Sequence, residues 1–242
     1  MSASGASGTE ALTFPPLMSG EATQADAMGL AARRATLGCD AGLVTYALPP
    51  SHIEAAMVLA PEMPLAQAMA MLPLCGVGFQ NALGALAPPE VAVHLDWDGG
   101  IRVNGASCGR LRVMAATTDP TAVPDWLVVG ITVPLLPETD DMGHTPDRTV
   151  LFAEGCTDVQ PPLLVEAWAR HTLNWIARWE DAGNRVLHAE WRGLAYGVGD
   201  PAKHAGGVGT YMGVDEDFGM LLRDDAGQTH LIPLTTLLKD QP

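Results

Sequence analysis

Arg110 and Arg112 stand two residues apart in the run GRLRVMA, so on a strand both guanidinium groups project from one face. There each could hold a carboxylate or phosphate through paired N–H donors, although such charges also make an ordinary solvated strand face. Cys108 lies two residues before Arg110. A thiol turns nucleophilic only beside a cation, a histidine or a helix N-terminus, and Arg110 is the one helper nearby; the plain alternative is a buried, inert cysteine. Trp97 could stack on a ring or an acyl chain, or simply close a core strand.

Other residue types with chemical capacity have blander readings. His94 alternates with Val91, Val93 and Leu95 and could face either way. His171 sits in a stripe with Trp168 and Trp175, where a hydrogen-bonded core histidine is expected. Asp215-Glu216-Asp217 follows a turn glycine and lacks the further spaced oxygen ligands of a calcium loop, so it reads as a solvated turn. Gly206-Gly207-Val208-Gly209 precedes no helix signal, which removes the geometry of a phosphate loop.

The composition bounds what these residues can serve. A chain of 242 residues that is 48% hydrophobic and 17% charged can build a real core, and four cysteines are too few for a disulfide scaffold. The formal net charge of -15 repels phosphate backbones, so nucleic acid is not an expected partner. Lysine occurs only at Lys203 and Lys239. Met1–Glu10 is small and polar, without the basic and apolar regions of a secretory signal; the expected location is the cytoplasm, with reduced, metal-free thiols at Cys39, Cys75, Cys108 and Cys156. Met63–Pro89 carries no charge and is long enough to cross a bilayer, but Pro64, Pro73, Gln67, Gln80 and Asn81 interrupt it, so a buried core helix is expected and no membrane.

The elements that must position the candidates follow from patterning. Ser19–Leu37 has helical spacing, with Arg33 and Arg34 late and Gly38 as a stop. GLVTYAL reads as a strand, Ile53–Leu59 as a second, and Leu65–Leu86 as a helix kinked or broken near Pro73. VAVHLDW, Ile101–Val103 and Leu111–Ala115 form strands joined by the turns Asp98-Gly99-Gly100 and Asn104-Gly105. WLVVGITV is an apolar run expected to be a strand covered on both faces, and Pro134–Asp147 a loop. Pro161–Gly183 predicts a helix with Leu164, Trp168, His171, Trp175 and Trp179 on one stripe. From Arg185 onward the pattern predicts short strands and glycine turns with no helix, including a hairpin over Arg223–Gln228.

The run VHLDWDGGIRVNGASCGRLRVMA, followed by WLVVGITV, resembles the centre of a biotin/lipoate protein ligase domain. The later helix and a C-terminal module with Gly-Val-Asp and then Gly-x-Leu-Leu are similar to the closing parts of bifunctional biotin ligases. The resemblance implies an α+β fold: a class II synthetase-like α/β core over residues 12–184, after a tail at 1–11, and a small SH3-like all-β barrel over 185–242. It also implies an acyl-adenylate made from ATP and passed to a carrier-domain lysine, using a central lysine and a Gly-Arg-Gly-x-x-Gly-Arg loop.

This chain departs from that pattern in four places. The lysine position falls on Ser107 or Ala106, and only Pro49–His52 stands where the glycine-rich loop would be. Trp-Pro-Asn-Asp reads Trp97-Asp98-Gly99-Gly100, and Gly-Ile-Gly-x-Asn reads Gly130-Ile131-Thr132-Val133-Pro134. Carried across, the resemblance leaves Trp97, Asn104, Ser107, Gly109, Arg110, Arg112, Gly130 and Thr132 as candidate ligand-binding residues, and Cys108 and Arg110 as the candidates for catalysis. The expectation is a divergent member that binds a carboxylate-bearing acyl ligand such as biotin, lipoate or octanoate, or an acyl-carrier or biotinyl/lipoyl-type domain, without ATP. Open alternatives are a transferase of altered chemistry and a non-catalytic adaptor.

Overall fold

The computed structural model describes residues 12–137, 147–204 and 207–238; the tail at 1–11, most of the acidic loop and Gly206 lie outside them. A seven-stranded sheet has the order β1-β2-β3-β7-β6-β5-β4. Its strands are β1 Ser19–Ala22, β2 Leu43–Ala47, β3 His52–Leu59, β4 Val93–Leu95, β5 Gly100–Val103, β6 Ala106–Ala115 and β7 Leu127–Pro134. Only β1 and β2 run parallel; every other pair is antiparallel. A four-stranded antiparallel sheet closes the chain in the order β11-β10-β9-β8, from β8 Pro201–His204, β9 Gly207–Val214, β10 Met220–Arg223 and β11 Thr229–Ile232. The fold is therefore α+β, a mixed sheet core with a small all-β sheet after it.

Alternation along the strands divides the large sheet into two faces. Tyr46, Ala55, Met57, Val129, Ile131, Leu111 and Val113 enter the main core. There they meet α2 Leu65–Ala68, α3 Met71–Leu86, α4 Pro161–Ala182 and α5 Asn184–Leu194. Ala56, Val58 and Val128 point the other way, against Ala31 and Ala35 of α1 Ala27–Thr36. That single helix covers part of its face, and the uncovered remainder forms the cleft described below.

The uncharged stretch is a core element. Eleven residues of α3 are buried, from Met71 to Leu83, which is what a soluble core helix needs and a lipid-facing one does not. The break falls at Met69-Ala70 rather than at Pro73. Pro73 lies in the first turn of α3, where its missing N–H has no partner to lose. Helix α4 crosses α3 closely: a Cβ at Gly78 would lie 2.5 Å from Thr172 Oγ1. Its tryptophans bond outward, Trp168 Nε1 to Cys75 O at 3.1 Å and Trp175 Nε1 to Asn81 Oδ1 at 2.8 Å.

Three expectations are corrected. Ser19–Ala22 is a strand, not the start of a helix; the helix begins at Ala27, capped by Asp26, whose Oδ1 accepts from Gly29 N at 2.8 Å. The helical stripe was real but began about two turns later, and Ser19–Ala22 gains a parallel partner that no local pattern announces. Residues from Arg185 on do contain a helix, α5, which buries Leu187 and Trp191 at i, i+4 spacing. Thr132 is also exposed, so β7 is covered on both faces only as far as Ile131.

Candidate functional site

A β-bulge sets the site. Gly100 pairs with Arg110 but Arg102 with Ser107, so β6 holds extra chain opposite Ile101. Gly109 absorbs it at φ +126°, where a Cβ would stand 2.5 Å from Thr132 O and only glycine fits. The bulge shifts the alternation: Cys108 and Leu111 are both buried while Arg110 and Arg112 are both exposed on the open face. Arg110 lies beside Thr132 of β7, which lies beside Glu54 of β3; Arg112 lies beside Gly130.

These residues line a cleft of about 600 Å³ with Asp26, Met28 and Gly29 at the N-terminal end of α1, Asp98 of the β4–β5 turn, and His204 and Leu237 from the C-terminal part. Arg110 Nη2 donates to Asp98 Oδ2 at 2.7 Å, the Arg110 side chain being 50% and the Asp98 side chain 31% exposed. Arg112 makes no hydrogen bond or ion pair with a described residue. The cleft thus holds guanidinium groups from one strand, facing carboxylates at Asp26, Glu54 and Asp98. It offers oxyanion binding by bidentate guanidinium donors.

The other sequence candidates lie elsewhere. Trp97 is 4% exposed, its ring set edge-on to His204 at 5.0 Å and its Nε1 bonded to Phe218 O. Asn104 holds the β5–β6 turn, with Oδ1 accepting from Ala92 N at 3.0 Å and Nδ2 donating to Glu154 Oε2 at 2.7 Å. Ser107 pairs through its backbone with Asp147 and Thr149. Cys108 is fully buried in the main core, and burial, helped by Glu154 and Cys156, pushes its thiol up to about 12. His94 is half-buried near Tyr196, with Nδ1 lacking a partner among the described residues. Asp215 Oδ1 accepts from Asp217 N and Gly219 N, which makes the acidic cluster a self-bonded turn.

Sequence reasoning missed Asp26, Glu54, Asp98 and His204 as cleft residues. Strand register was the one signal that could have found Glu54, because it shares a cross-strand row with Thr132 and Arg110. Asp26 and His204 come from segments distant in sequence, and only the tertiary fold brings them to the cleft.

A sequence model described as the biotin/lipoate A/B protein ligase family matches residues 14–193, and one described as a domain of unknown function (DUF4444) matches residues 198–240. No curated protein matches the chain. Among solved structures, a biotin protein ligase-like protein of unknown function from Silicibacter sp. TM1040 is 63% identical, with 94% of this chain and 99% of that one covered at a TM-score of 0.88. Biotin protein ligase from Aquifex aeolicus shares 13% identity, with 90% and 96% covered at a TM-score of 0.72. The Leishmania major enzyme, solved with biotinyl-5-AMP, shares 15%, with 90% and 99% covered at 0.59. At such identities the last two speak for the fold.

Proposed function

The chain belongs to the biotin/lipoate A/B protein ligase family, and from that membership we propose that its open cleft binds a carboxylate-bearing acyl ligand of the biotin, lipoate or octanoate class, or the carrier domain bearing one, without activating it as an adenylate. The observation that carries this reading is the connection between β2 and β3. It is the four-residue hairpin Leu48–Ser51 where the resemblance calls for a glycine- and arginine-rich phosphate loop. Stabilising a nucleotide at the moment of acyl transfer needs donors and cations aimed at its α-phosphate. A tight hairpin of Leu, Pro, Pro and Ser offers no such cradle, and no lysine precedes Lys203.

What the cleft keeps suits a carboxylate. Arg112 is exposed beside Gly130, over which the Met28 side chain lies. Asp26, Glu54 and Asp98 oppose a triphosphate far more than a single carboxylate, because repulsion grows with the ligand's charge. Nucleophilic catalysis by Cys108 is not supported, since a core thiol with a raised pKa supplies almost no thiolate at neutral pH.

The test is incubation of the full chain with biotin, lipoate or octanoate, Mg-ATP and an unmodified carrier domain, read by intact mass and pyrophosphate release. The expected result is neither product, with the acid bound in a parallel calorimetric titration. Carrier acylation at many turnovers per chain would overturn the reading.

A further inference from the structure

We propose that Asp98 is a specificity-determining residue of the cleft: its carboxylate pairs with Arg110, and an incoming oxyanion, carboxylate or phosphate, must displace it to engage both arginines. The inference rests on the reading of the cleft as an anion site and goes on to name what competes for it.

The backbone fixes Asp98 where it competes. It lies within the β4–β5 turn that Asp96 opens, and Leu111 N donates to Gly99 O at 2.6 Å, which anchors that turn beside β6. Asp98 Oδ1 accepts from Gly100 N at 3.3 Å while Oδ2 takes Arg110 Nη2, so one carboxylate is shared between its own turn and the neighbouring strand. The same Arg110 nitrogen reaches Asp98 O at 3.4 Å. Gly100 and Arg110 are register partners, which sets the pair side by side.

The contact is built to be exchanged. Only one nitrogen of Arg110 engages Asp98, whereas a guanidinium bonds a carboxylate or phosphate best through two parallel donors. Both side chains are partly exposed, so a released Asp98 is rehydrated and keeps its bond to Gly100 N. Arg110 and Arg112, two residues apart on β6, are roughly 6.6 Å apart along the strand, close enough for one oxyanion to draw on both. An anion that reaches Arg112 alone leaves Asp98 in place; one that bridges the two replaces it. Asp98 therefore opposes an anion that draws on Arg110 and is indifferent to one held by Arg112 alone.

The experiment compares the wild-type chain, Asp98→Asn and the double variant Asp98→Asn/Arg110→Gln in calorimetric titrations with inorganic phosphate and with octanoate at fixed ionic strength. Asparagine keeps the size and the acceptor for Gly100 N but removes the charge. The expected result is that Asp98→Asn tightens binding of both probes about two- to fivefold, the span of an exposed ion pair, and that Arg110→Gln abolishes the gain. Equal or weaker binding of phosphate by Asp98→Asn overturns the proposal, as does a gain that survives Arg110→Gln or the absence of phosphate binding by all three proteins. A phosphate gain without octanoate binding leaves this proposal standing and removes the acyl-ligand reading instead.

Discussion

The indole of Trp97 donates from Nε1 to the backbone carbonyl of Phe218 at 2.8 Å, joining the end of β4 to the turn before β10 across a separation of 121 residues. Phe218 is 1% exposed, at φ +62°, and packs edge-on against Trp191. The same Trp97 ring meets His204 of β8, so one side chain ties the small sheet to the large one. Trp97→Phe keeps most of the packing and removes the donor. The buried carbonyl is then left unpaired, and urea unfolding is expected to show a loss of about 1–3 kcal/mol. A change within the noise of the measurement would mean that the small sheet does not depend on this bond.

The bulge gives a second prediction. Gly109→Ala places a Cβ against the backbone of Thr132 at a positive φ, and neither strand can yield without losing register. The expected cost is about 1–3 kcal/mol, with loss of anion binding as Arg110 leaves the open face. Wild-type stability and binding in this variant would show that the bulge is not what orients the arginines.

Much of this fold was legible because its signals are local. The β-branched and aromatic run of β2, the apolar run of β3, the turn at Asn104-Gly105 and the tryptophan stripe of α4 are each written in one short segment. The errors had two sources. Ser19–Ala22 is a strand because β2, distant in sequence, pairs with it, whereas Asn184–Leu194 carries a local stripe of Leu187, Trp191 and Leu194 that the glycine-rich segments after it masked. The site followed the same rule. Arg110 and Arg112 were visible as an i, i+2 pair, whereas Asp26, Glu54 and His204 reach the cleft only through tertiary packing. Cys108 was adjacent in sequence but turned inward by the bulge.

Thiol chemistry separates the cysteines. Cys39 is half-exposed, while Cys75, Cys108 and Cys156 are buried. Burial raises all four thiols, least obstructively at Cys39, and pushes Cys108 up to about 12. A thiol reagent at pH 8 is expected to modify Cys39 alone in the folded chain and all four in denaturant, as read by peptide mass. Rapid native labelling of Cys108 would contradict its place in the core and reopen it as a nucleophile.

The acid limb of stability carries a contribution from the last hairpin. The hydrogen bond from His230, at 2.7 Å, and then backbone N–H groups including that of Gln228, hold the Asp224 carboxyl below its ordinary value of 3.8. A group whose pKa is lowered on folding adds stability above its unfolded pKa and loses it as pH falls through the folded one. The stability difference between wild type and Asp224→Asn is therefore expected to be present at about pH 5 and to close as pH falls below about 4. A difference that persists unchanged into strong acid would show that Asp224 acts through something other than its charge.

The central claim is that the cleft takes an acid and not a nucleotide. It is tested most directly by thermal unfolding of wild type and Arg112→Ala with biotin, lipoate and octanoate, each with and without Mg-ATP. A ligand at about one hundred times its dissociation constant stabilises the folded state by about 2.7 kcal/mol, a shift such a scan resolves. The account predicts that at least one acid raises the wild-type midpoint by the same amount with or without Mg-ATP, and that Arg112→Ala, unchanged in its own midpoint, loses the response. A shift that appears only with Mg-ATP, or grows when it is added, would contradict the account and restore adenylate formation to this chain.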